Sequence, residues 1–226
     1  MKESRHVYIS VEGDVCETLY FEHLRTLINS NPQGKYNLKL SIKKANPYSY
    51  VKQNAYKPMD KEKGKTIPFY HIQDVEDYND EGLRKQFKAL VDEMKKAEKD
   101  FRIPTFLGYS NYTFELWMLL HATDMKSPVA NRYAYLKHIN KYFCRKYQGL
   151  EEYKEGEEFH DILCKYVNLG SVYAAIDRAD YIDKQKKQSN QRCEQYRNLV
   201  IYPDNPYTTV HQVVSSILSL CGIQKP

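Results

Sequence analysis

The chain has no apolar run near the roughly 18–20 residues that cross a bilayer, so no membrane-spanning helix is expected. Its N-terminus, MKESRHVYISVEG, has no apolar leader ahead of the first strand-like run, which argues against a secretory signal. Its five cysteines (Cys16, Cys144, Cys164, Cys193, Cys221) are odd in number, scattered, and form no CxxC pair. Neither a disulfide framework nor a zinc site follows, and the reading is a cytoplasmic protein with reduced thiols. There is no GxxxxGK[ST] loop, so ATP hydrolysis of the P-loop type would belong to another chain. Internal repeats and low-complexity segments are absent too. Tryptophan occurs once, as Trp117, and is expected in the core.

What is present is an ordinary globular composition, 42% hydrophobic and 28% charged over 226 residues. That length suits one domain with additions. The formal net charge is +5, and its distribution is uneven. From Lys35 to Lys65 nine lysines face only Asp60 and Glu62, with Tyr36, Tyr48, Tyr50 and Tyr56 interleaved. Cations for phosphate and aromatics for base stacking suit a nucleic-acid surface, with Lys43, Lys44, Lys52, Lys57 and Lys65 as the contacts. The same composition also suits a solvated loop. Asp183–Arg197, which holds Lys186 and Lys187, is basic and glutamine-rich, and reads as a solvated helix or a second such patch.

The order of periodicities gives the fold class. Val7–Val11 is a short β-branched and aromatic run, a buried strand, and from Cys16 the apolar spacing becomes helical. Tyr36–Lys43 alternates and Ile67–Ile72 is a third strand. Glu81–Asp100 is an amphipathic helix, and Thr105–Gly108 is a fourth strand. Strand, helix and strand in succession imply parallel pairing, hence an α/β protein with a small doubly wound sheet. Ser110 or Asn111 is the expected cap of a helix through Trp117 and His121, with His121 read as a buried structural histidine. Asn131–Gln195 is helical in pattern, and Thr208 or Thr209 is expected to cap a last helix over Val210–Cys221. The division that follows is a core over 1–123, with a Lys/Tyr-rich insertion at 44–66, and a helical extension over 124–226.

Acids stand at the carboxyl ends of two strands: Glu12, with Glu17 just beyond, and Asp74, Glu76 and Asp77. Ligands of open α/β sheets bind there. Adjacent strands lie about 4.8 Å apart, so these acids can share one site, and close carboxylates need raised proton affinity or a cation between them. A hard divalent ion with oxygen ligands answers that need, and magnesium suits an open, hydrated site. Such an ion polarises a phosphodiester and activates water. An acidic surface cluster without metal fits the same spacing.

Four stretches resemble the RloB-like family, which includes the abortive-infection protein AbiLii. They are Val11-Glu12-Gly13 with Glu17 and Tyr20-Phe21; the acids Asp74–Asp77; Ser110-Asn111 with Phe114-Glu115, Trp117 and Leu119-Leu120-His121; and Asn205-Pro206 with Thr208-Thr209-Val210-His211. The resemblance implies a Toprim-like core, a small parallel sheet flanked by helices, with a helical C-terminal extension. It implies a magnesium-dependent endonuclease, with manganese as a substitute ion, serving anti-phage defence beside an OLD-like or ABC-type ATPase. Glu12 then looks like the Toprim glutamate and Asp74 with Glu76 like its DxD pair, the three catalytic residues. Glu17, Asp77 and Glu115 complete the implied metal ligands. Two departures stand out: a glutamate holds the second DxD position, with Asp77 beside it, and Tyr112 replaces the proline that often follows Ser-Asn. A non-cutting regulatory subunit of an ATPase complex fits the same residues, and a topoisomerase- or primase-like reaction fits less well. The sequence leaves open whether DNA, tRNA or other RNA is the substrate, and a homo-oligomer is compatible with it.

Overall fold

A four-stranded parallel sheet with strand order 2-1-3-4 forms the centre of the molecule. The computed structural model describes residues 2–55 and 67–225, so Lys57 and Lys65 lie outside the described residues. The sheet comprises β1 (Ser4–Val11), β2 (Asn37–Lys44), β3 (Phe69–Asp74) and β4 (Thr105–Ser110). The α/β class with a small parallel sheet and C-terminal helices is as the sequence predicts.

Alternation along the strands sorts two faces. On β1, Val7, Ile9 and Val11 enter the main core with Tyr20, Phe21, Leu24 and Ile28 of α1 (Cys16–Ser30). Tyr8 points the other way, into a smaller cluster with Tyr50 and Val51 of α2 (Pro47–Asn54), Phe69, and Ala97 of α3 (Glu81–Phe101). Asp80 caps α3 by accepting from Leu83 N at 2.9 Å, and the helix ends at Arg102, whose φ of 55° breaks the helical ladder.

β1 connects through α1 to β2 on one side, whereas β3 connects through α3 to β4 on the other. The chain therefore reverses its winding between β1 and β3, and the crevice beyond their carboxyl ends is a topological switch point. Val11 and Ile72 are register partners at those ends. Glu12 follows the first and Gln73-Asp74 the second. β3 runs two residues further than the sequence suggests, which places Gln73 and Asp74 in the ladder beside Tyr109 and Ser110.

The next helix, α4 (Glu115–Leu120), is a single short stretch with every residue buried. Six residues cannot hold a helix in water, so packing keeps it. Leu116, Met118, Leu119 and Leu120 are each worth about 1.5–3 kcal/mol in burial. Trp117 is fully buried, and His121 bonds to Tyr20 Oη and to the Trp117 carbonyl, a structural role as expected. Neither Ser110 nor Asn111 caps this helix. The Ser110 hydroxyl bonds that of Thr208, and Asn111 Nδ2 donates to the carbonyls of Tyr202 and Pro203. These contacts with a segment some ninety residues on in the chain compete with the local cap and win.

The extension continues through α5 (Tyr135–Tyr142), α6 (Leu150–Tyr153), α7 (Gly156–Tyr166) and α8 (Leu169–Gln188). The helical pattern ends at Gln188 rather than near Gln195. An antiparallel hairpin follows, β5 (Glu194–Tyr196) with β6 (Leu199–Ile201), before α9 (Val210–Leu220). Thr209 does not cap α9 with its side chain. Its hydroxyl accepts from Tyr109 N at 2.9 Å, while the Thr208 hydroxyl accepts from Val210 N. One buried apolar cluster runs from Val7 to Ile223, so extension and sheet share a core. Among the described residues, no helix is long and apolar enough to cross a membrane.

Candidate metal centre

At the switch point lies a cavity of about 440 Å³ lined by Glu12, Glu17, Asp74, Glu76 and Glu115, with Lys44, Arg132 and Lys154 at its walls. The acids come from four places: the end of β1, the first turn of α1, the end of β3 with its following loop, and the start of α4. Asp77 is outside this cavity. It is exposed and its carboxylate accepts from Asn79 N, a turn contact.

Each carboxylate is held differently. Glu12 Oε2 accepts from Asp74 N at 2.8 Å and from Gln73 Nε2. Glu17 folds back along its own helix, and Oε1 accepts from Gly13 N at 3.3 Å. A Cβ at position 13 would meet Glu17 Oε2 at 2.3 Å, so the buried glutamate needs glycine there. Glu115 is buried between the Thr113 hydroxyl, which donates to Oε2, and Lys154 Nζ, 3.3 Å from Oε1. Glu76 pairs with Arg132 at 3.2 Å.

Glu76 has φ of 48° and Tyr112, its partner in an isolated bridge, φ of 63°. Left-handed backbone at non-glycine residues costs of order 1–3 kcal/mol each and clusters at functional sites. A proline, whose ring fixes φ near −65°, cannot adopt the Tyr112 conformation. The replacement of the expected proline thus goes with a distinct backbone path beside the second acid.

Burial raises the proton affinity of Asp74 well above the ordinary aspartate value, and Glu17, Glu115 and Glu12 raise it further while Lys154 opposes them. Burial likewise raises Glu17, as does neighbouring Glu115. It raises Glu12 as well, opposed by the Asp74 N–H. For Lys154, burial works downward, but Glu115 and Asp74 outweigh it and hold the ammonium above its ordinary value. The acids that act on Asp74 are therefore Glu17, Glu115 and Glu12, and Glu76 sits at the mouth with Arg132.

Does this donor set suit a divalent ion? Asp74 Oδ1 is buried with no hydrogen-bond partner, as are the hydroxyls of Tyr135 and Tyr153. An unpartnered carboxylate oxygen facing three further acids is the environment a hard cation relieves. All-oxygen donors match magnesium or manganese rather than zinc. Among the described residues, no three His, Cys, Asp or Glu side chains already stand at ligating separation. Glu115 has both oxygens engaged by protein donors, so its side chain must turn to reach an ion, whereas the bonds of Glu12 and of Glu17 each occupy one oxygen.

The sequence pattern did not single out Lys154, Arg132, Gln73 or His71. Lys154 and Arg132 lie in the helical extension, and only the fold brings them to the sheet. The predicted nucleic-acid contacts are dispersed. Lys43 and Lys52 are exposed, and Lys44 pairs with Asp14 at 2.9 Å on the cavity rim. Lys187 pairs with Asp183. Lys186 is buried, its Nζ donating to Gln191 Oε1 and the Asp204 carbonyl, so it presents no surface charge. Arg192 donates to Asn79 and Arg197 pairs with Asp92, which ties much of the Asp183–Arg197 charge to α3 and its approach.

No curated protein and no solved structure is significantly similar to the chain. The family model described as RloB-like protein matches residues 7–217, a span that holds all of the sheet but the first three residues of β1, every acid of the cavity and both cations from the extension. By that match, the chain belongs to the RloB-like family.

Proposed function

We propose that this chain is a magnesium- or manganese-dependent endonuclease that cleaves nucleic acid, an effector of anti-phage defence working beside an OLD-like or ABC-type ATPase. The observation that carries the catalytic part is Asp74: a half-buried residue at the switch point whose carboxylate oxygen Oδ1 is buried and unpartnered, acted on by Glu12, Glu17 and Glu115. Asp74, Glu17 and Glu115 would hold the ion, with Glu12 as ligand or general base and Glu76 at the entrance. The bound ion would supply charge stabilisation on the phosphate and a more acidic water. Lys154 and Arg132 would then meet the substrate phosphate with their freed donors. Defence and the ATPase partner rest on the family resemblance alone.

One observation favours the other reading, a non-cutting regulatory subunit. Lys154 already neutralises Glu115, and Arg132 already neutralises Glu76. Cleavage of labelled tRNA, single-stranded DNA and plasmid separates the two. The assay compares wild type with Glu12→Ala and Asp74→Ala, in magnesium, manganese or EDTA, with and without the ATPase. Metal-dependent cutting that both substitutions abolish supports the endonuclease. No cutting in any arm supports the regulatory subunit.

A further inference from the structure

A polar line crosses one face of the sheet where an apolar one would pack more cheaply. Ser10 and His71 are register partners on β1 and β3, both 2% exposed. They share their face with Tyr8 and Phe69, which are apolar packing residues of the smaller cluster. Gln73 is two residues beyond His71 and Glu12 two beyond Ser10, so all four lie on one side. The bonds run in series: Ser10 Oγ to His71 Nδ1 at 2.8 Å, His71 Nε2 to Gln73 Oε1 at 3.1 Å, and Gln73 Nε2 to Glu12 Oε2.

Chemistry fixes the direction of each bond. A carboxylate only accepts, so the Gln73 amide must turn its NH2 toward Glu12 and its carbonyl toward His71. That carbonyl needs a donor, so His71 carries its proton on Nε2, and Nδ1 accepts from the Ser10 hydroxyl. Burial pushes the imidazole down to about 4, which keeps it neutral, as this arrangement requires. Were Gln73 to flip, its oxygen would oppose the Glu12 carboxylate, and the imidazole would have to take its Nδ1–H form. The carboxylate thus sets the amide, the amide sets the imidazole tautomer, and the His71 N–H holds the amide oxygen in place, while the amide with Asp74 N occupies one oxygen of Glu12. Oε1 is the oxygen these donors leave for chemistry.

We infer that His71 and Gln73 are positioning residues that fix the Glu12 carboxylate for its partner in the cavity, a divalent cation. This rests on the metal reading above. Orienting partners of metal ligands typically change metal affinity by about 10–100-fold when removed. The test is Mn2+ binding to the full chain by electron paramagnetic resonance, comparing wild type, Gln73→Met and Gln73→Asn. The first variant removes the amide at similar volume, and the second retains an amide too short to reach. Melting curves for all three show which variants fold, and Gln73 is at the strand end, where substitution is tolerated best. The expected result is a Mn2+ dissociation constant raised about tenfold or more in both variants. Wild-type affinity in a folded variant overturns the inference and leaves the metal reading intact. Failure of the wild type itself to bind Mn2+ overturns both. As a readout independent of metal, 15N chemical shifts of the His71 ring should report the neutral Nε2–H form at pH 7. The Nδ1–H form would overturn the proposed line of bonds.

Discussion

Asp74 gives its backbone N–H to Glu12 at 2.8 Å while its own Oδ1 stays buried and unpartnered. One residue thus orients a neighbouring acid and carries a carboxylate whose proton affinity burial and three nearby acids raise well above the ordinary value. Function and stability should therefore conflict at this position.

Asp74→Asn should stabilise the metal-free protein. Its carboxyl binds a proton more tightly in the fold than in the unfolded chain, where it titrates near 3.8. The penalty for ionising it is absent below that value and grows as pH rises toward the folded value. At neutral pH the variant should melt about 2–4 °C higher, the shift that about 1 kcal/mol produces in a chain of this size. The advantage should vanish near pH 4. A variant that melts lower than wild type at pH 7 would show that the carboxylate is stabilising.

His71 and His121 should act in the opposite sense. Burial pushes both down to about 4, from an ordinary value of 6.5. Below 6.5 the unfolded chain gains protons that the fold refuses, so stability is lost as pH falls toward 4. The slope is about 1.4 kcal/mol per pH unit for each histidine. NMR titration of the His121 ring checks this directly, and a midpoint near 6.5 would contradict it.

Lys154→Met should leave Glu115 buried beside Glu17 and Asp74 with its countercharge gone. Breaking a fully buried pair costs 3–5 kcal/mol, and the half-exposed lysine lowers this to about 2 kcal/mol. Adding Glu115→Gln should recover most of the loss, because no charge then remains to be paired. Urea unfolding of the four proteins of that double-mutant cycle measures the coupling, and additive effects would deny it.

Gly13→Ala should displace Glu17 without unfolding the chain. The new methyl would overlap Glu17 Oε2, the far end of a side chain that can swing away. Mn2+ affinity should fall about tenfold while the melting temperature stays within a few degrees. Unchanged affinity would remove Glu17 from the ligand set.

The sheet and the acids at its ends were legible because both depend on local order: runs of β-branched residues, a change of period, a carboxylate after each run. Glu12, Glu17, Asp74 and Glu76, which the spacing grouped, line one cavity together with Glu115, which only the family resemblance brought in. Asp77 does not, since a turn contact with Asn79 holds it outside. The cations were illegible for the opposite reason. Arg132 is 56 residues from Glu76, and nothing in a lysine- and arginine-rich helical stretch singles out which head reaches the sheet. Lys186 shows the converse: it reads as surface charge, yet the Asp204 carbonyl and Gln191 hold it inside. The Ser10–His71–Gln73 line hid in a strand that reads as apolar, because alternation had to be combined with strand register before the four residues fell on one side.

The pinning of β4 has a consequence for synthesis. Tyr109 exchanges bonds with Thr209, Ser110 bridges Thr208, and Asn111 is held by the carbonyls of Tyr202 and Pro203. Those partners leave the ribosome about a hundred residues after the strand they secure. Until then the strand that leads to Glu115 lacks these contacts, and a nascent or prematurely terminated chain holds its acids on an unfinished frame. The order of translation itself thus delays assembly of the site until the C-terminal segment is made.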